Sequence, residues 1–273
     1  MERKIDISPY LDLIHYDGVL APSFDTLYQL HFRHTQTIPF ENLSPFTAME
    51  MRLDVASLLE KFTVHGRGGY CYEHNILFQY ILEQVGFKTT GLAARVRLNV
   101  PDDVIAPRTH MLLLVEADGQ QWIADTGFGG MTLTVPIRFA MDEVQDTPHG
   151  QYRLTRDNGV YRLETRVQEA WRILYAFDLT PNYLPDYEVS NWYVSRHPAS
   201  HFVTHLVAAR AAKEGRHVLH DTLYSFYPRA GEMEKRKLHS IDEIKGLLEN
   251  TFHIGIAEVV GLDARLEALI VAD

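Results

Sequence analysis

Arg67-Gly68-Gly69-Tyr70-Cys71-Tyr72-Glu73-His74-Asn75 holds the only cysteine of the chain. A single thiol cannot close an intramolecular disulfide, and one thiolate is a poor start for a zinc site. Two roles remain open, a small buried apolar residue or a nucleophile. Gly68 and Gly69 predict a tight backbone turn, and Ile76, Leu77, Tyr80, Ile81 and Val85 follow with helical spacing. The pattern places the sulfur in the first turn of a helix, where free N–H groups and the macrodipole stabilise a thiolate.

Outward from this motif the chain has three textures. Up to about Phe87 it reads as helical: Ser23 is placed to cap a helix through Leu27, Leu30, His31 and His34, and Leu53 to Phe62 repeats the idea. From Lys88 to about Asn191 the period shortens to two, with turn signals at Pro101-Asp102-Asp103, Asp118-Gly119 and Asp157-Asn158-Gly159. That predicts an antiparallel sheet or barrel. After Trp192 come a helix-like stretch from Ser200 to Ala211, a β-like segment from Thr222 to Tyr227, and a helix from Ser240 to Asn250. The chain shows no repeats or flexible linkers, so these regions are expected to pack as one body.

Composition bounds the function. Over 273 residues, 46% are hydrophobic and 23% charged, as in a globular, enzyme-sized protein rather than a disordered chain. A formal charge of −10 and the lack of a Lys/Arg run argue against nucleic acid as a partner. The N-terminal residues lack the apolar core of a signal peptide, and no stretch has the length of a membrane span. With one thiol, the expected location is the cytoplasm, without membrane attachment.

A second stretch, Arg108 to Gly130, supplies partners for the thiol. Asp118-Gly119 predicts a two-residue hairpin turn, which sets Ala117 opposite Gln120, Leu114 opposite Ile123 and Leu112 opposite Asp125. His110 then shares a sheet face with Asp125 as a diagonal neighbour, about 7–8 Å away at the backbone and within side-chain reach. Cys71, His110 and Asp125 thus form a candidate triad: nucleophile, base, and the carboxylate that fixes the imidazole tautomer. With 14 histidines in the chain, a His and an Asp near any cysteine are not specific by themselves.

The motifs resemble those of the arylamine N-acetyltransferases. Arg67 to Asn75 looks like the RGGxCxExN signature of that family, and Ile38-Pro39-Phe40-Glu41-Asn42-Leu43 resembles its (V/I)PFENL segment. Thr109-His110-Met111 resembles its catalytic histidine strand, and Asp125-Thr126-Gly127-Phe128-Gly129 its DVGFG, with Thr126 in place of the usual valine. Asn191 to Pro198 is similar to NWYTSTHP, with departures at Val194 and Arg196. These matches run from residue 38 to about residue 202, and the remaining residues match only in general character.

The resemblance implies an α+β fold with three parts: a helical bundle over residues 1–87 with the catalytic cysteine, an antiparallel β-barrel over 88–190 with the catalytic His and Asp, and an interdomain helix with an α/β lid over 191–273. It implies a papain- or transglutaminase-like triad at Cys71, His110 and Asp125, and ping-pong acetyl transfer from acetyl-CoA. The acceptor would be an arylamine, arylhydrazine or N-hydroxyarylamine, and the enzyme a monomer or homodimer. Phe40, Phe128 and Phe202 align with acceptor-pocket positions, and Gly127, Gly129 and Gly130 with a glycine loop that approaches the CoA pyrophosphate. No metal is expected: His201 and His205 share i,i+4 spacing, but without a third ligand they read as a solvated helix face. Arg67 with Glu41 reads as a buried pair holding the cysteine turn, and Glu73 and Asn75 as structural. A cysteine hydrolase or transglutaminase-like amidase using the same triad is the alternative.

Overall fold

The computed structural model describes residues 5–101 and 103–272, so Asp102 of the Pro101-Asp102-Asp103 turn signal lies outside the described residues. The chain begins with α1 (Ser8–Leu13), α2 (Phe24–Thr37), β1 (Phe40–Glu41), α3 (Leu43–Phe46), α4 (Val55–Thr63) and α5 (Cys71–Val85). Side chains start two of the helices. Ser23 Oγ accepts the Thr26 N–H at 3.3 Å ahead of α2, and Asp54 accepts the Ser57 N–H at 3.0 Å ahead of α4. Gly86, in the left-handed region at φ 105°, ends α5.

An antiparallel sheet follows, made of β2 (Lys88–Val96), β3 (Arg108–Ala117), β4 (Gln120–Ala124), β5 (Ile137–Arg138), β6 (Gln145–Thr147), β7 (Gly150–Asp157), β8 (Val160–Val167) and β9 (Ala170–Phe177). Its strand order is β5-β4-β3-β2-β9-β8-β7-β6. The edges β5 and β6 meet: the Gln145 side chain accepts the Arg138 N–H at 2.7 Å and donates to the Arg138 carbonyl at 2.9 Å. One amide side chain thus stands in for the missing ladder and rolls the sheet into a nearly closed barrel. The turns Asp118-Gly119 and Asn158-Gly159 both have two successive positive φ values, as type I′ hairpin turns require.

Strand β3 is buried on both faces, which explains its continuous apolar run. Met111, Leu113 and Val115 pack against the helices with Leu77, Phe78 and Ile81, whereas Leu112 and Leu114 fill the barrel with Leu154, Leu163 and Leu174.

The last third departs from expectation. The strand region ends at Phe177, and α6 (Leu184–Arg196) begins well before Asn191, started by Pro185 and by Asp186, whose carboxylate accepts the Tyr183 N–H at 2.9 Å. The helix expected from Ser200 to Ala211 is only α7 (His201–Thr204). It gives way to β10 (Val207–Ala212), followed by β11 (Gly215–His220), β12 (Leu223–Pro228), β13 (Glu234–Lys237), α8 (Ile241–Asn250) and α9 (Leu262–Ala272). The run Val207–Ala212 becomes a strand because it lies between two partners, in the sheet order β1-β10-β11-β12-β13. Alanines carry little strand preference of their own, so the neighbours decide. The pairing of β1 with β10 (Phe40 opposite Ala209) and the packing of Leu43 and Phe46 with Leu206, Leu219 and Leu248 tie the first third of the chain into the last.

Candidate active site

The cysteine turn is built on close backbone approach. A Cβ on Gly68 would lie 1.8 Å from the Pro39 carbonyl oxygen, and the Glu41 N–H donates to the Gly69 carbonyl at 2.8 Å. Neither Gly68 nor Gly69 has a positive φ. Glycine is needed here for room, not for an unusual dihedral. Behind the turn, Arg67 Nε donates to Glu41 Oε1 at 2.8 Å, Lys61 pairs with Glu73 at 2.6 Å, and the Tyr70 N–H donates to Glu73 Oε2 at 3.0 Å. Arg67, Glu41 and Glu73 are buried, and the two carboxylates are balanced by Arg67 and Lys61 together. This network fixes the start of α5 and hence Cys71.

The His and Asp come from the barrel. The pairing of β3 with β4 keeps the predicted register, with Leu114 opposite Ile123 and Ala117 opposite Gln120. Asp125 lies one residue past the end of β4, on the side of Ile123. In the pairing with β2, His110 opposes Ala94 and Arg108 opposes Arg95, so Thr109 is the extra residue of a bulge. That bulge bends the strand beside the thiol, and the Thr109 carbonyl lies 3.6 Å from Cys71 Sγ.

His110 Nε2 lies 2.7 Å from Asp125 Oδ2, leaving Nδ1 for the thiol side. The three side chains are nearly excluded from solvent. Burial works against the imidazolium, but the Asp125 charge and hydrogen bond outweigh it with help from Cys71, and His110 is raised to about 10. Burial also opposes the Asp125 carboxylate. The His110 charge, with hydrogen bonds from His110, Asn75 and the Gly127 N–H, nevertheless holds it below the ordinary value. The pair is therefore imidazolium and carboxylate at neutral pH.

Several supporting residues were not singled out for the site by the sequence. Asn75 Nδ2 donates to Asp125 Oδ1 at 3.0 Å and to the Met111 carbonyl at 2.8 Å, and Asn75 Oδ1 accepts the Thr126 N–H at 3.1 Å. The signal was available: Asn75 is four residues after Cys71, on the same helix face. Thr126, the departure from the family pattern, donates its hydroxyl to Asn75 Oδ1 at 3.2 Å, a bond valine cannot make. Of the other two departures, Arg196 donates to the Ala48 carbonyl at 3.0 Å and Val194 is buried. His31 Nε2 accepts the Asp125 N–H at 3.1 Å, and burial lowers its pKa to about 4, so it stays neutral there. The Tyr175 ring packs 4.8 Å from the His110 ring. Nothing in the local sequence of His31 or Tyr175 announces these contacts.

Of the expected aromatic positions, one meets the triad and two cluster beside Tyr70, the residue before Cys71. Phe128 meets His110 edge-on at 5.0 Å, and Phe202 packs 5.9 Å from Phe40 and 5.5 Å from Tyr70. In the glycine loop, a Cβ on Gly127 would fall 2.7 Å from the Cys71 Cα, so this residue seats the loop against α5. Gly129 has φ 81° and lies against the Phe40 ring, while Gly130 faces Val218 of β11. Arg216 of β11 donates to the Gly130 carbonyl at 3.2 Å, the Thr132 carbonyl at 2.8 Å and the Tyr152 hydroxyl at 2.9 Å, joining loop, barrel and second sheet.

A bundle, a barrel and a second sheet meeting at one buried thiol define a class. The family profile described as N-acetyltransferase matches residues 23–260, and the protein is an acyltransferase enzyme. The arylamine N-acetyltransferase of Escherichia coli K12 is 38% identical over 251 residues, covering 92% of this chain and 89% of that one. The solved structure of the Mycobacterium marinum arylamine N-acetyltransferase superposes with a TM-score of 0.93 at 37% identity, covering 97% of this chain and 100% of that one. The same enzyme in complex with CoA gives a TM-score of 0.92 at 38% identity, covering 97% and 98%. The chain belongs to the arylamine N-acetyltransferase family.

Proposed function

We propose that the protein transfers an acetyl group from acetyl-CoA to the nitrogen of an arylamine, arylhydrazine or N-hydroxyarylamine through an acetyl-cysteine at Cys71. The observation that carries this reading is the thiol at the first turn of α5 beside a buried His110–Asp125 pair. In the first half-reaction the Cys71 thiolate, facing the His110 imidazolium, attacks the thioester carbonyl. The first-turn amides of α5 lack intrahelical acceptors and are suited to receive the oxyanion. The tetrahedral intermediate collapses, CoA leaves as a thiol with the proton from His110, and the acetyl group stays on sulfur. In the second half-reaction the neutral amine attacks the acetyl-cysteine, His110 takes the amine proton, and the thiolate is released as the amide forms. Asp125 holds the imidazole in the required tautomer throughout.

Phe40, Phe128 and Phe202 supply flat apolar walls suited to an aromatic acceptor. Gly127, Gly129 and Gly130 offer backbone to the CoA side, although Gly127 already has a packing role against Cys71. No described helix is long and apolar enough to cross a membrane. A free catalytic thiol suits the reducing cytoplasm.

Intact-protein mass spectrometry after brief exposure to acetyl-CoA tests the proposal. One added acetyl group on Cys71, removed when an arylamine is supplied, is the expected result. A folded protein with a reactive thiol and no adduct would overturn it and favour a hydrolase or amidase using the same residues.

A further inference from the structure

The two histidines four residues apart in the sequence do not lie on one helix face. His201 opens α7, but His205 is already extended at its end, and β11 delivers His220 beside both. The three ring centroids lie 4.6–5.2 Å apart, and one ring nitrogen from each lies within 4.8 Å of the other two. This third imidazole, 19 residues from His201, is what the sequence spacing alone lacked.

Asp221 organises the cluster from behind. It occupies the two-residue turn between β11 and β12, and the Leu206 N–H donates to its Oδ1 at 2.9 Å. Its Oδ2 lies 2.7 Å from His205 Nδ1 and 3.3 Å from His220 Nδ1. With those two Nδ1 atoms protonated toward the carboxylate, His205 and His220 are left with Nε2 lone pairs. His220 Nε2 in turn lies 3.2 Å from His201 Nε2. One proton on His201 can satisfy only one neighbouring lone pair, whereas a cation satisfies all three.

The dimensions and chemistry suit a specific kind of cation. Two imidazoles on a tetrahedral ion with Zn–N bonds of about 2.05 Å have their nitrogens about 3.3 Å apart. The His201–His220 separation of 3.2 Å already matches, and a ring nitrogen of the half-exposed His205 lies within 4.8 Å of both. A carboxylate on the far ring nitrogen is the usual support for a metal-ligating histidine, because it fixes the tautomer and strengthens the donor. Three imidazole donors favour zinc, copper, nickel or cobalt over magnesium or calcium. The solvent-facing side leaves the fourth position for water.

We propose that His201, His205 and His220, oriented by Asp221, form a binding site for a divalent transition metal of the zinc type, joining α7 to the β11–β12 turn. The site lies outside the acyl-transfer chemistry, which uses no metal. It borders that chemistry, however, because Phe202 belongs to α7 and packs on Phe40 and Tyr70. A bound ion therefore fixes the segment that carries one proposed wall of the acceptor pocket.

The test is calorimetric titration of the tag-free full chain with Zn(II), followed by Co(II) titration monitored by absorption. One bound equivalent is expected, with the visible bands of four-coordinate cobalt and no near-ultraviolet thiolate-to-cobalt band. His220→Ala should abolish binding, and Asp221→Asn should weaken it by about 10–100-fold. Zinc should also raise the thermal midpoint of the parent and leave that of His220→Ala unchanged. Should His220→Ala fail to fold by circular dichroism, the exposed His201→Ala serves in its place. Absence of saturable binding, affinity unaffected by these substitutions, or a thiolate band placing the ion at Cys71 would each overturn the proposal.

Discussion

Lowering the pH from about 7 to about 5 is expected to remove about 4 kcal/mol of folding stability through two buried histidines alone. His31 and His74 are fully buried, and burial lowers each to about 4 from an ordinary 6.5. The Asp125 N–H donates to His31 Nε2, which needs a neutral ring, and the His74 bonds form one consistent chain when that ring is neutral. His74 Nε2 lies 3.2 Å from the Pro39 carbonyl, which can only accept, so Nε2 carries the proton. With His74 held neutral by burial, its Nδ1 accepts from His34 Nε2 at 2.7 Å, and His34 Nδ1 accepts the Tyr10 hydroxyl at 2.9 Å. A folded-state pKa below the unfolded value favours folding fully above the unfolded pKa, and that advantage is lost as the pH falls toward 4. Each histidine thereby gives up about 2 kcal/mol across this interval, and His34, also held well below its ordinary value by burial, acts in the same direction. The His110–Asp125 pair does not mask the effect. His110 is raised, so its contribution is complete below 6.5 and fades only toward 10, while that of Asp125 is lost only in stronger acid. Urea unfolding followed by tryptophan fluorescence across this range measures the slope. His74→Gln keeps an amide donor for Pro39 but no titrating group, and should flatten the slope by about 1 kcal/mol per pH unit averaged over this range. A stability that stays level from neutral pH to pH 5, in parent and variant alike, would refute the neutral-histidine account.

Asp125→Asn should keep the fold and lower acyl transfer by a factor on the order of ten thousand, through loss of the His110 tautomer and charge; single-turnover rates near the parent value would remove Asp125 from the mechanism. Asn75→Ala leaves the Thr126 N–H without its acceptor and should cost about 1–3 kcal/mol in urea unfolding, with slower acetylation of Cys71. An unaltered acetylation rate would separate Asn75 from the site. Gly127→Ala places a methyl group 2.7 Å from the Cys71 Cα, and overpacking of about 1–3 kcal/mol with loss of transfer is expected; neutral behaviour would mean that the loop moves freely. Arg67→Ala leaves Glu41 buried with Lys61 at 3.7 Å as its remaining cation, and should cost about 3–5 kcal/mol in the same assay, a change below the measurement error being the contrary result.

The parts of this protein that were legible in its sequence are those set by local chemistry. The Asp118-Gly119 turn fixes a register, and that register carries His110 and Asp125 to one face. Ser23 and Ser240 announced helix starts in the same local way, each accepting an N–H three residues on. What escaped was decided by partners far along the chain. Val207–Ala212 has no strand signature of its own and becomes a strand only between β1 and β11. The bulge at Thr109 exists only in the pairing with β2. His31 supports Asp125 across 94 residues, and His220 joins His201 and His205 through the β11 pairing, so neither could be found from spacing.

The pairing of Phe40 with Ala209 also has a consequence for how the chain is made. Strand β1 leaves the ribosome roughly 170 residues before its strand partner β10, a gap of about 10–30 s at ordinary synthesis rates. Throughout that interval the edge of Phe40 and Glu41 that will face β10 stays open, with only the cysteine turn at Gly69 to bond on its other side, and Leu43 and Phe46 lack the Leu206, Leu219 and Leu248 surface that will cover them. The nascent chain must therefore wait with a sticky segment exposed, and its need for chaperones should be concentrated on the residues just ahead of the cysteine turn.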